Sequence, residues 1–140
     1  MKSLTPARLL YPTYFILIGG PLFLLATILC CVVVIIASYV GLPASFISKT
    51  TKAWSWCCLA VSLCRVTVRG REHLPSTDAP CVVVANHQSA YDIFVLNAYI
   101  GIPFKWVMKQ ELRDIPLVGK ACEAAQFIFV DEKSPSSIVH

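Results

Sequence analysis

No aspartate or glutamate precedes Glu72, and no formally charged residue lies between Arg8 and Lys49. The stretch up to Arg71 instead holds seven basic residues: Lys2, Arg8, Lys49, Lys52, Arg65, Arg69 and Arg71. From Glu72 onward five basic residues stand against eight acidic ones, so the net charge of +4 divides into +7 and −3. Charged residues make up only 14% of the chain against 56% hydrophobic, and mean hydropathy is +0.67. Such a balance excludes an ordinary soluble domain. A basic, acid-free apolar region suits the anionic surface of a membrane, and no nucleic-acid partner is implied. The same charges also serve to flank apolar helices and set their orientation.

Metal-ligand spacing is missing too. The seven cysteines (Cys30, Cys31, Cys57, Cys58, Cys64, Cys81, Cys122) contain no Cys-x-x-Cys and form no Cys/His cluster, so no metal site and no disulfide framework is read. Five of them lie in apolar stretches. Reduced thiols acting as small hydrophobes fit that placement and point to a cytosol-facing protein. Internal repeats and low-complexity tracts are absent.

Forty uncharged residues follow Arg8. All helical they would reach about 60 Å, twice a hydrocarbon core of about 30 Å, so one straight crossing does not account for them. Pro12, Gly19-Gly20-Pro21 and Gly41-Leu42-Pro43 punctuate the run. The unbroken piece Leu22 to Val40 is long enough to cross once and is read as a retained anchor, not a cleaved leader. The next apolar piece, Ala53 to Cys64, is too short to span. Its Trp54 and Trp56 suit a helix at the membrane interface, and a helix packed on the following domain is the other reading. Basic residues at both ends leave a single crossing and a re-entrant pair both open.

Beyond residue 64 the pattern changes. Arg65 to Arg69 alternates as a strand does, and Gly70 to Pro80 is a polar loop. Cys81-Val82-Val83-Val84-Ala85 has the composition of a strand buried on both faces. Asp92 to Ile100 predicts a helix, Phe104 to Met108 a strand, Ile115 to Ala125 a helix and Phe127 to Val130 a strand. The alternation predicts an α/β fold: N-terminal membrane helices over residues 1–64, then a partial α/β domain over 65–140 with a mixed, largely parallel sheet. Ser134-Pro135 predicts a helix start that the end at His140 cuts off.

Removing a proton from an alcohol as it attacks a carbonyl calls for a base that is neutral near pH 7, which is the province of imidazole. His73 lies in the polar loop and His140 at the end, whereas His87 sits just past a predicted buried strand, where α/β folds open their sites. Asp92, at the predicted start of the next helix, can reach back to one imidazole nitrogen, fix its tautomer and balance its charge. Asn86 can hold the turn or donate a hydrogen bond near the site. A plain turn at Asn86-His87 with Asp92 as a helix cap is the competing reading.

The segment Asn86-His87-Gln88-Ser89-Ala90-Tyr91-Asp92 resembles the N-H-x-x-x-x-D block of the glycerolipid acyltransferase superfamily, and of 1-acyl-glycerol-3-phosphate acyltransferases in particular. Lys109-Gln110-Glu111-Leu112, followed by Pro116 and Gly119, is similar to that family's K-x-E-L…P-x-x-G block. Phe127-Ile128-Phe129-Val130-Asp131 resembles its strand ending in F-[IV]-D, and Val68 to Pro75 the approach to its catalytic strand. The resemblance implies that His87 and Asp92 are catalytic and that His87 deprotonates the hydroxyl of a lysophosphatidate as it attacks acyl-CoA or acyl carrier protein. It places Lys109 near the acceptor's phosphate, with Asn86 as a second substrate-binding residue; a solvated lysine at a helix start is the plain alternative. No metal or dissociable cofactor is implied. The expected setting is phospholipid synthesis at a bacterial-type inner membrane, with the catalytic part facing the cytoplasm and membrane lipids as neighbours. Glu132 stands where the family usually carries arginine, and no E-G-T-R type block occurs. The chain therefore reads as C-terminally incomplete, and a non-catalytic membrane-associated remnant that binds lipid or a partner is the alternative.

Overall fold

A computed structural model describes residues 6–74 and 80–131. The expected helix start at Ser134-Pro135, Glu132, His140 and part of the loop before Pro80 lie outside the described residues.

Helix α1 (Pro6–Tyr14) runs through a π-helical turn (Phe15–Gly19) directly into α2 (Gly20–Tyr39). The expectation that Gly19-Gly20-Pro21 interrupts the helix is thus corrected. Pro21 has no N–H to return to the carbonyl four residues back, and the ladder opens by one residue around it, with the Gly20 N–H donating to the Phe15 carbonyl. A Cβ on Gly20 would lie 2.9 Å from that oxygen, so the widened turn needs glycine there. The resulting helix, Leu10–Tyr39, has 30 residues and reaches a mean hydropathy of 2.8. Among the described residues it alone is long and apolar enough to cross a membrane. Leu17, Leu24, Leu29 and Ile36 on its outer side are exposed. An uninterrupted apolar face of that size marks a membrane-associating surface.

Gly41, at φ 78°, ends the helix. Its N–H reaches the Ser38 carbonyl at 3.1 Å and that of Leu42 the Ala37 carbonyl at 2.8 Å, the paired bonds that close a helix around a left-handed residue. The chain then turns back as α3 (Ala44–Val61), longer than the expected twelve-residue piece because its first turns extend through Lys49 and Lys52. Those lysines stay on its exposed side, while Ser55, Cys58 and Leu59 are buried. This i, i+3, i+4 stripe of mostly small residues lets neighbours approach closely. The hairpin is pinned along its length: Tyr14 Oη donates to the Val61 carbonyl (2.9 Å), Tyr11 Oη to the Ser62 carbonyl (3.3 Å) and Trp54 Nε1 to Thr27 Oγ1 (3.1 Å). Two of these bonds satisfy carbonyls that the end of α3 leaves without helical partners.

The remaining elements dock on this hairpin. Helix α4 (Tyr91–Tyr99) packs Phe94 and Ala98 against Cys58 and Leu59 of α3, with Phe23 of α2 alongside. The helix packed on the following domain is therefore the reading of residues 53–64 that the structure takes. Burial of Phe94, 8% exposed, contributes about 2 kcal/mol. Its ring stands edge-on to Trp54 at 5.1 Å and Phe23 at 5.3 Å, arrangements worth about 1 kcal/mol each beyond the area buried. Strand β1 (Val107–Lys109) and strand β2 (Ile128–Val130) pair in parallel, with Met108 opposite Phe129. A 3₁₀ segment (Gln110–Asp114) and helix α5 (Val118–Ala124) connect them, and α5 sets Ala121 and Ala125 against Cys31 and Val34 of α2.

The architecture is therefore a mostly helical α/β arrangement with a small parallel sheet. Two expected strands are corrected: Arg65–Arg69 and Cys81–Ala85 are extended but carry no ladder among the described residues. Far from being buried on both faces, Val82 is 90% and Val84 89% exposed, because nothing described here pairs with or covers them.

Entry into α5 is the tightest point of the chain. The Val118 N–H bonds the Pro116 carbonyl at 2.7 Å across Leu117, whose φ of 66° and ψ of −48° make the rare, strained γ-turn. A Cβ on Gly119 would stand 1.9 Å from the Arg113 carbonyl oxygen. Gly119→Ala should therefore destabilise the fold by roughly 3 kcal/mol, at the upper end for overpacking. Circular dichroism melts in detergent check this: a melting temperature equal to the parent's would refute the contact.

Candidate active site

The chain leaves the extended Cys81–Ala85 segment, turns through Asn86 to Ala90 and enters α4 with Asp92 in its first turn. What shapes the turn is a reciprocal exchange. Ser89 Oγ accepts the Tyr91 N–H at 3.2 Å, and Asp92 Oδ2 reaches back to accept the N–H groups of Gln88 and Ser89, each at 2.8 Å. Serine followed three residues later by an acid is the capping-box pattern, which ties two otherwise orphaned donors at a helix start. A third donor arrives at the same oxygen, His87 Nδ1 at 3.2 Å.

A carboxylate only accepts hydrogen bonds, so Nδ1 must carry the hydrogen and Nε2 keeps its lone pair. The imidazole is open to a reactant, its side chain 65% exposed, whereas that of Asp92 is 32% exposed. The backbone N–H groups of Ser89 and then Gln88 hold the Asp92 carboxyl below its ordinary value of 3.8. Slight desolvation opposes them, and His87 adds to the lowering. The carboxylate also sits where the partial positive end of α4 favours an anion. Cap and catalytic partner, competing readings of Asp92 in the sequence, are thus one geometry.

Packing fixes the platform under this turn. Asn97 Nδ2 donates to the buried Ser55 Oγ at 2.8 Å, Trp56 Nε1 to the Ala98 carbonyl at 3.0 Å, and the Trp56 ring stacks on Tyr99 at 5.6 Å. From the loop before the site, Arg71 reaches the Tyr99 carbonyl at 2.6 Å. These bonds hold α4 to α3, and sequence reasoning did not single out their residues. The Ser89-x-x-Asp92 spacing carried the signal for the cap, but nothing local signals the pairing of Ser55 with Asn97, forty-two positions apart.

All four residues expected at the site, Asn86, His87, Asp92 and Lys109, line a single cleft of about 1140 Å³. Lys109 comes to it from the end of β1. Apolar side chains from α2 and α5, among them Cys30, Cys31, Val34, Val118 and Cys122, make up much of its wall. Among the described residues no group of three or more His, Cys, Asp and Glu is placed to hold a metal ion.

The family model described as Acyltransferase matches residues 65–139, more than half of the chain. The chain belongs to the acyltransferase family. Similar acyltransferases include a 1-acyl-sn-glycerol-3-phosphate acyltransferase of Chlamydomonas reinhardtii, 35% identical over 104 residues, which are 74% of this chain and 30% of that protein. The 1-acyl-sn-glycerol-3-phosphate acyltransferase of Pseudomonas aeruginosa is 34% identical over 87 residues, 58% of this chain and 33% of its own. The alpha form of the mouse enzyme of that name is 41% identical over 69 residues, 49% and 24%. This acyltransferase chain therefore spans about a third or less of the length of these relatives. No solved structure matches it significantly.

The lowered acidity of Asp92 has a consequence for stability. A carboxyl more acidic in the folded than in the unfolded chain stabilises the fold above its unfolded value, and that contribution is lost as pH falls through the depressed value. The gap in melting temperature between parent and Asp92→Asn should be constant above about pH 4 and close progressively below it. A gap that persists unchanged to about pH 2 would show that ionised Asp92 does not hold the turn.

Proposed function

We propose that this chain carries the membrane anchor (residues 1–64) and the first part of the catalytic domain (65–140) of a 1-acyl-glycerol-3-phosphate O-acyltransferase. Its reaction moves a fatty acyl group from acyl-CoA or acyl carrier protein to the free hydroxyl of a lysophosphatidate. The observation that carries this reading is the 3.2 Å contact between His87 Nδ1 and an Asp92 oxygen already anchored by two backbone N–H groups. It gives an exposed imidazole one defined tautomer, with Nε2 as the base.

The chemistry follows from that tautomer. Nε2 takes the acceptor's hydroxyl proton as its oxygen bonds to the thioester carbonyl carbon. Asp92 stabilises the imidazolium so formed. Collapse of the tetrahedral adduct breaks the carbon–sulfur bond, the imidazolium proton goes to the departing thiolate, and the product ester remains. Lys109 supplies a point charge for the acceptor's phosphate, and Asn86 a hydrogen bond to substrate.

Position along the hairpin supports a membrane-borne substrate. Helices α4 and α5 pack beside α2 between Phe23 and Val34, along its length and not beyond its end. The antiparallel partner α3 returns the chain to the side it came from. This favours the re-entrant arrangement over a straight crossing and sets His87 level with the bilayer surface, where a lysolipid presents its hydroxyl. The side facing the site is the cytoplasm, in an inner membrane of bacterial type, in keeping with seven reduced thiols.

His87→Ala should lower acyl transfer to lysophosphatidate by about 10²–10⁴-fold, the ordinary worth of a general base, while the protein still sediments with membranes. Equal rates for the variant and its parent would sink the proposal. Lys109→Ala should raise KM for lysophosphatidate and leave kcat within about threefold, an effect of uniform binding. A fall in kcat with unchanged KM would remove Lys109 from the phosphate.

A further inference from the structure

An extended chain that turns one face to a cavity lines it with every second residue. The cleft beside His87 is lined differently. Pro103, Phe104, Lys105, Trp106, Val107, Met108 and Lys109 all border it in an unbroken run, as do Cys81, Val82 and Val83 and then Ala85, Asn86 and His87. Consecutive lining residues mean that each wall is a backbone edge with its rows of N–H and C=O groups. β2 pairs with β1 alone, and no ladder reaches Cys81–Ala85 among the described residues. A β-branched run suited to burial thus stands with Val82 and Val84 about nine-tenths exposed, the kind of bare edge that folded proteins cover.

We infer that the cleft between these two edges is the seat of a β-strand, supplied by the polypeptide that the acyltransferase relatives carry outside the third of their length matched here. The inference concerns sheet assembly and stands whether or not the catalytic reading does. One inserted strand, bonded on both sides, would set the two walls ~10 Å apart, two strand spacings of about 4.8 Å. Five or six residues suffice to run the length of a typical strand, about 17–20 Å. The cleft wall formed by Cys31, Val34, Val118 and Cys122 calls for apolar, β-branched side chains toward the helices. Hydrocarbon cannot take this place, because an acyl chain leaves both rows of backbone donors and acceptors unsatisfied. The matched relatives have polypeptide to supply: the parts aligned here are 30% and 33% of the algal and pseudomonad proteins.

Hydrogen exchange read by mass spectrometry tests this on the whole 140-residue chain in phosphatidylglycerol–phosphatidylcholine nanodiscs. The probe is the portion of the Pseudomonas aeruginosa relative that lies outside its matched segment, added as a separate polypeptide and, in a second sample, fused after His140. Exchange at residues 82–86 and at 104–109 should slow together by at least tenfold, with α3 unchanged. The protection at 82–86 should vanish in Val83→Pro, which removes one edge donor, while the helical circular dichroism stays the same. His87→Ala should be protected like the parent, which separates this outcome from any loss of activity. Three results overturn the inference: no protection in either the mixed or the fused sample, protection that instead rises with the concentration of this chain alone and so marks a second copy, or protection that follows lipid acyl content and so marks a lipid.

Discussion

Burial of one face of α2 decides where both chemistry-bearing helices stand, because Phe23 near its start receives Phe94 of α4 while Cys31 and Val34 further along receive Ala121 and Ala125 of α5. The opposite face remains apolar and bare. A single helix thereby answers to two solvents, lipid on one side and protein on the other, with small residues on the protein side and bulky aliphatics on the lipid side. Helix α3 completes the protein side, and its Ser55 and Cys58 allow the close approach that places Asn97 within reach. Loss of that contact surface would leave α4 without its seat and the turn before it without a fixed direction.

Much of this was readable from residue type and spacing. The apolar helix, the helix beginning near Asp92, the parallel pairing of the strands near 107 and 128 and the shared location of Asn86, His87, Asp92 and Lys109 all follow from local pattern. Two kinds of information did not. Gly19-Gly20-Pro21 reads as a break because proline and glycine usually end helices, yet here the two glycines let the hydrogen-bond ladder step over the proline. The run Cys81–Ala85 reads as buried because of its side chains, but burial depends on partners far away in sequence, and composition does not say where they come from. Likewise the residues that anchor α4 to α3 are ordinary polar side chains until folding brings them together.

Asp92 shows why a cap and a catalytic role are hard to separate by inspection. The Asp92 oxygen that closes the turn also orients the imidazole, so local folding and chemistry share one atom. A site made this way is assembled as soon as the helix starts, and it needs no distant element to present the acid to the base. The rest of the machinery is less local: Lys109 reaches the cleft only through the β1–α5–β2 unit, whose path depends on the γ-turn at Leu117 and on Gly119 lying against the Arg113 carbonyl.

The π-helical turn at Phe15–Gly19 carries a further consequence. It holds one residue more than an α-helical path would use, and in a helix one residue corresponds to about 100° of rotation. Tyr11 and Tyr14 therefore face the end of α3 only by virtue of that extra residue. Removing any one residue from the turn and restoring a regular helix would leave α2 in place but swing both tyrosines about a quarter of the way around the axis, uncoupling the angular phase of the chain's entry segment from the hairpin it now clasps.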